Sequence, residues 1–135
     1  MPNTREQRYI QCAIKAAHCS SSKMRLGAAL VKSKNILSTG FNQMNKTHPR
    51  QEQFNFNRET IGLHAEVHVC LGVARGDLID STLYLVRILK NNFLALSKPC
   101  NSCERFLYSV GVKKVVYTTG LDTVSYLELK NRYLK

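Results

Sequence analysis

HAEVHVC, residues 64–70, and KPCNSCERF, residues 98–106, are the two stretches on which the reading of this chain turns. The first places two histidines, a glutamate and a cysteine within seven positions; the second carries a CxxC pair led by Pro99. Cys100 and Cys103 stand three apart, a spacing that in a first helical turn aims both sulfurs at one ion. The free N–H groups and positive dipole of such a terminus favour the thiolate that a metal requires. His64 follows the apolar Leu63 and opens a second helical pattern, so two helix starts are expected to bring ligands to one metal. Three protein ligands leave a tetrahedral zinc with one open position. Glu66 is then the candidate general acid and base beside it. Inside a regular helix, i and i+2 point about 200° apart, so His64 and Glu66 meet only if the helix approaches the site end-on. A competing arrangement takes His68, one turn after His64, as fourth ligand of a closed structural site in a nucleic-acid-binding module. Glu66 would then have no task.

The rest of the composition fits a small globular domain better than a membrane or secreted protein. The 135 residues are enough for one domain, expected over 1–135, and 44% of them are hydrophobic. No apolar run reaches eighteen residues, and the N-terminal stretch lacks the apolar core of a secretory signal. No membrane partner is therefore expected, and the location read from the sequence is cytoplasmic (the host cytosol, if the source is viral). Five cysteines, two of them in a CxxC, suit metal binding in a reducing compartment rather than a disulfide framework. The excess of 20 Lys and Arg over 9 Asp and Glu gives +11 and points to a phosphate-bearing partner, nucleotide or polynucleotide.

Periodicity supplies the order of elements. Residues 4–20 put Tyr9, Ile10, Cys12, Ala13, Ala16, Ala17 and Cys19 on one helical stripe, with Thr4 as the expected N-cap and both cysteines buried. LGAALVKSKNILSTGFN (26–42) reads as two strands joined at KSKN, the first apolar enough to be covered on both faces. Helical pattern returns over 63–75, ended by Gly76 and with Cys70 in the core; a strand follows at 81–89, then a loop over 91–98. Next come a short helix closed by Gly111 and two strands around GLD (120–122). Only 15 residues follow Gly120, so the fifth strand is expected to return antiparallel. Such alternation predicts an α/β fold with helices on both faces of a central sheet.

HAE at 64–66 followed by PCNSC at 99–103 resembles the signature of the zinc-dependent cytidine and deoxycytidylate deaminases. The element order over most of the chain is similar too. The resemblance implies a three-layer α/β/α sandwich with a five-stranded mixed sheet, and Zn2+ held by His64, Cys100 and Cys103. It implies that Glu66 carries a proton from water to the pyrimidine ring and then to the departing ammonia. Asn42, near the end of the second strand, occupies the family's place for binding sugar or base. The Ala65 backbone and Pro99 are likewise implied to border the substrate.

Segment 43–62 is a long polar insert, and connections of that length are often functional. Read as a substrate lid, it offers Arg50 or Arg58 to phosphate, Phe54 or Phe56 to stack on a base, and His48 at the rim. The expected substrate is a free cytosine nucleotide of the dCMP or CMP type. The alternative is cytosine in single-stranded DNA or RNA, then tRNA adenosine. A homo-oligomer is carried as a further expectation, since this fold often assembles through its helices.

Overall fold

The computed structural model describes residues 3–44, 46, 48–52 and 62–129. Its first element is α1 (Thr4–Ala17), begun by a reciprocal capping box: Asn3 accepts from the Glu6 N–H and the Glu6 side chain returns to the Asn3 N–H. The cap is thus Asn3, one residue before the expected Thr4. β1 (Arg25–Lys32) and β2 (Asn35–Phe41) form a hairpin whose two turn residues, Ser33 and Lys34, both have positive φ. That geometry matches the right-handed twist of paired strands. A short α2 (Pro49–Glu52) follows.

The expected helix over 63–75 is instead two single turns, α3 (Ala65–His68) and α4 (Arg75–Leu78). Between them the bonding tightens to i→i+3 spacing, as in Cys70 N–H to Val67 and Leu71 N–H to His68. Gly72 then takes φ +83° and redirects the chain. Gly76 consequently lies inside α4 rather than ending a helix.

β3 (Thr82–Ile88) is followed by a tight reversal, with the Asn92 N–H bonded to the Leu89 carbonyl. The chain then forms β4 (Leu94–Ala95), a two-residue strand within the expected loop 91–98. α5 (Asn101–Val110) starts at the cap Cys100 and stops at Gly111 in the left-handed region. β5 (Lys114–Thr118) and β6 (Val124–Glu128) close the fold as an antiparallel pair, as expected.

The main path of the sheet is β2-β1-β3-β5-β6, five strands, with β4 added against β3. β3 and β5 are parallel, and the other pairs are antiparallel. β5 covers Thr82–Leu85 of β3, and β4 takes over that flank at Arg87 and Ile88. This is the mixed-sheet α/β sandwich the sequence implied.

Alternation explains why β1 and β3 are nearly all apolar. Ala28, Leu30, Leu83, Leu85 and Val115 belong to one buried cluster with residues of α3 and α5. Their neighbours Ala29, Val31, Tyr84, Val86 and Val116 belong to a second cluster with Tyr9, Ala13 and Ala17 of α1. α1 lies so close to β1 that a Cβ at Gly27 would sit 2.0 Å from the Ala13 carbonyl oxygen. Cys70 is fully buried, but Cys12 is only half-buried and Cys19 is exposed. Cys19 lies beyond Ala17, the last residue of α1. Among the described residues, no helix is long and apolar enough to cross a membrane.

Candidate active site

Topology brings the two ligand-bearing stretches together. β2 and β3 are both antiparallel to β1, so they run the same way and end at the same edge of the sheet. The chain leaving β2 leads to α3 and the chain leaving β3 leads to α5, so both helix starts arise from that edge. Clefts at such ends are where open α/β sheets bind ligands.

His64 is the N-cap of α3, in extended conformation (φ −75°, ψ 147°), and its side chain makes no capping bond. This resolves the orientation problem of the sequence. His64 is not helical, so the 200° separation from Glu66 does not apply, and both residues line one cavity. The backbone ahead of His64 is held by a residue that sequence reasoning missed. Buried Gln51 donates from Nε2 to the Gly62 carbonyl at 2.7 Å and accepts the His64 N–H at 2.8 Å. A two-way bridge between Gln43 and Leu63 secures the next residue. A glutamine in a polar insert gives no periodic signal, and nothing in its spacing marked it.

On the other side, Cys100 caps α5 and its sulfur accepts the Cys103 N–H at 3.5 Å. Ser97, buried just upstream, fixes the approach to the cap. Its hydroxyl donates to the Leu85 carbonyl and receives the Thr118 N–H, both at 2.9 Å. The outcome is a cluster in which one ligand atom each from His64, Cys100 and Cys103 lies within 4.8 Å of the others. Cys103 Sγ stands 3.3 Å from His64 Nδ1. One imidazole nitrogen and two sulfurs form a donor set that suits zinc, and three protein donors are the number found at catalytic zinc.

The electrostatics follow from this crowding. Hydrogen bonding from Cys103, helped by His64, outweighs burial and brings the Cys100 thiol down to about 4. Cys103 is pushed well above its usual range, first by burial and then by the neighbouring Cys100. Burial works against a charged His64, but the Cys100 hydrogen bond and the Glu66 and Cys100 charges raise its pKa overall. Burial raises Glu66 against the opposing pull of His64. Glu66 is 4% exposed, and the Cys103 side chain also pulls its pKa down, against the effect of burial. A buried carboxyl of raised pKa at a cavity wall can hold a proton and release it.

The cavity has a volume of about 360 Å³. Asn42, Ala65, Glu66, His64 and Cys100 border it, whereas buried Pro99 is not in the lining, although its neighbours Lys98 and Cys100 are. The Asn42 side chain is committed to the fold. Its Oδ1 accepts from the Leu26 N–H at 3.0 Å and from the Ser20 hydroxyl at 2.7 Å, and its Nδ2 donates to the Met24 carbonyl at 2.6 Å. It therefore shapes the wall at residues 20–26. His68 is absent from the metal cluster. Its Nδ1 accepts the Phe41 N–H at 3.0 Å, and its ring meets the Phe41 ring edge-on at 5.1 Å. His48 is half-buried outside the lining, with its carbonyl bonded by the Gln51 N–H. Arg50 belongs to α2. Phe54, Phe56 and Arg58 fall outside the described residues.

Residues 3–119 match the family model described as the cytidine and deoxycytidylate deaminase zinc-binding region. A deoxycytidylate deaminase of Mycobacterium phage D29 is 28% identical over 120 residues, spanning 78% of this chain and 84% of the relative. Among solved structures, the dCMP deaminase of cyanophage S-TIM5 in complex with dCMP and dUMP superposes with a TM-score of 0.56 at 22% identity, covering 87% of this chain and 82% of that one. The cytidine deaminase of Burkholderia pseudomallei gives 0.65 at 18% identity, covering 93% of each chain.

Proposed function

The chain belongs to the zinc-dependent cytidine and deoxycytidylate deaminases, and from that premise we propose that it hydrolytically deaminates the cytosine base of a free pyrimidine nucleotide, dCMP or CMP, to uracil. In this reading His64, Cys100 and Cys103 hold the zinc. When bound, the metal supplies Lewis-acid activation of water at neutral pH. Glu66 is the proton carrier. Its carboxylate oxygen accepts the proton that water loses on adding to C4 and passes it to the ring nitrogen beside C4; it then takes the remaining proton from the new C4 hydroxyl and delivers it to the departing exocyclic amine, leaving a C4 carbonyl. One water enters, the C4–N bond breaks, and ammonia leaves. The Ala65 backbone borders the base, and Asn42 supports the wall.

The observation that carries this reading is that Glu66 lines one cavity together with His64 and Cys100, two members of the one-nitrogen, two-sulfur cluster. About 360 Å³ falls within the range of small-ligand sites. Relatives named as deoxycytidylate deaminases support the nucleotide level. The test is to assay zinc-loaded protein on dCMP, CMP, cytidine and a cytosine-bearing oligonucleotide. Turnover of dCMP or CMP is expected; turnover of the oligonucleotide alone contradicts the proposal. The charge of +11 favours single-stranded nucleic acid as the second reading. An enzyme that neutralises several phosphates of a polymer loses affinity steeply as salt rises, whereas one mononucleotide phosphate gives a shallow slope.

A further inference from the structure

Arg87 is the one charged residue of β3, in an otherwise apolar or hydroxyl-bearing strand. Its neighbours across the sheet are Leu26 of β1 and Ala95 of β4, so it is flanked by backbone on both sides. Alternation places it on the face of Leu83 and Leu85, the face covered by α3 and α5. There it lines the same cavity as His64, Glu66 and Cys100. The side chain is half-buried, and its guanidinium makes no hydrogen bond or ion pair among the described residues. A partly desolvated cation without a partner is costly unless a ligand supplies the opposite charge. Lys23 and Lys98, both exposed, line the cavity too, and Glu66 is the only carboxylate in the described lining.

We propose that Arg87, with Lys23 and Lys98, binds the phosphate of the substrate and so selects nucleotides over nucleosides. The assignment rests on reading the cavity as the deamination site, and it moves phosphate recognition from the insert to the sheet. A guanidinium presents its donors as a planar fork that fits two phosphate oxygens at once. The lysines add point charges at the exposed side. A 5′-phosphate monoester and a phosphodiester of a single strand share this chemistry; the free monoester is the source proposed.

The test compares zinc-loaded wild type, Arg87→Gln and Arg87→Lys in two ways. Calorimetric titration with dUMP and with deoxyuridine reads phosphate recognition without turnover. Steady-state kcat/KM on dCMP, deoxycytidine and a cytosine-bearing oligonucleotide reads it in the reaction. Wild type is expected to bind dUMP more tightly than deoxyuridine. In Arg87→Gln the nucleotide-to-nucleoside ratio should fall about 10- to 100-fold, the range for a lost hydrogen-bonded charge contact. Arg87→Lys keeps the charge without the fork, so an intermediate drop is expected; this variant carries the test if the glutamine protein fails to fold. A ratio that stays at the wild-type value in both variants, or a wild type indifferent to the phosphate, overturns the assignment. Arg87-dependent turnover confined to the oligonucleotide overturns the monoester source. If no cytosine substrate is turned over but dUMP binding depends on Arg87, the deaminase reading falls and the phosphate site stands.

Discussion

On one face of the sheet a single 14-residue helix, α1, packs small side chains against Ala29, Val31 and Val86. On the other face lie α3, of four residues, and α5, of ten, and their first turns carry His64, Glu66, Cys100 and Cys103. The same strands feed both layers, and the layer of α3 and α5 holds His64, Glu66 and Cys100 against a cavity. α1 carries its own start signal in the Asn3–Glu6 capping box. A four-residue helix cannot persist on local bonding. α3 depends on Gln51, on the Gln43–Leu63 bridge and on the His68–Phe41 contact. The α1 layer is built to fold, and the opposite layer holds a site open at some expense in local order.

The largest expected difference between the faces is chemical. Glu66→Gln should lower kcat about 10²- to 10⁴-fold, the usual contribution of a general acid and base. Zinc content by elemental analysis and melting temperature should stay near wild type. Retained activity in that variant would remove Glu66 from the mechanism. Next comes zinc removal. Metal binding to a partly formed site is coupled to local folding. Chelation should therefore speed hydrogen exchange at residues 62–70 and 100–106 while amides of α1 and β1 stay protected. Uniform acceleration would show that the two layers are not separable.

Gln51→Ala strips two hydrogen bonds from the backbone ahead of His64. About 1–3 kcal/mol of stability should go with them, together with a weaker hold on zinc, read by competition with a chelating dye. Unchanged zinc affinity would confine Gln51 to a folding role. On the α1 face, Asn3→Ala should cost about 1 kcal/mol in denaturant unfolding and leave kcat/KM on dCMP unaltered. A further effect, confined to alkaline pH, comes from that same layer. Burial, aided by the Glu6 carboxylate, pushes Tyr84 up to about 12. The unfolded chain therefore loses this proton first, near the usual tyrosine value of about 10. The associated stability is full below pH 10 and is lost as pH rises toward 12. Tyr84→Phe should flatten that part of the alkaline fall in melting temperature.

The two layers also differed in how legible they were. Strands covered on both faces announce themselves as apolar runs, so β1, β3 and β5 were placed from sequence, as were Gly111 as a helix stop and the antiparallel return of β6. HAE and PCNSC pointed to the His64, Cys100 and Cys103 constellation because chemistry restricts those residue types and spacings. Long-range backbone geometry was harder to read. The apolar spacing over 63–75 is the same for one helix as for two turns joined through Gly72. β4 is two residues long and exists because β5 stops short of Arg87. Cys19 fits the α1 stripe by period, but it lies beyond the last residue of the helix, and is exposed. Gln51 and Arg87 act through partners distant in sequence, and no local pattern encodes such a pairing.

X-ray absorption at the zinc edge of the purified protein tests the central assignment most directly. Two sulfurs at about 2.3 Å, one imidazole nitrogen at about 2.0 Å and one light scatterer that a substrate analogue displaces are expected. A fourth ligand from the protein, whether a second imidazole or a third sulfur, would contradict the account.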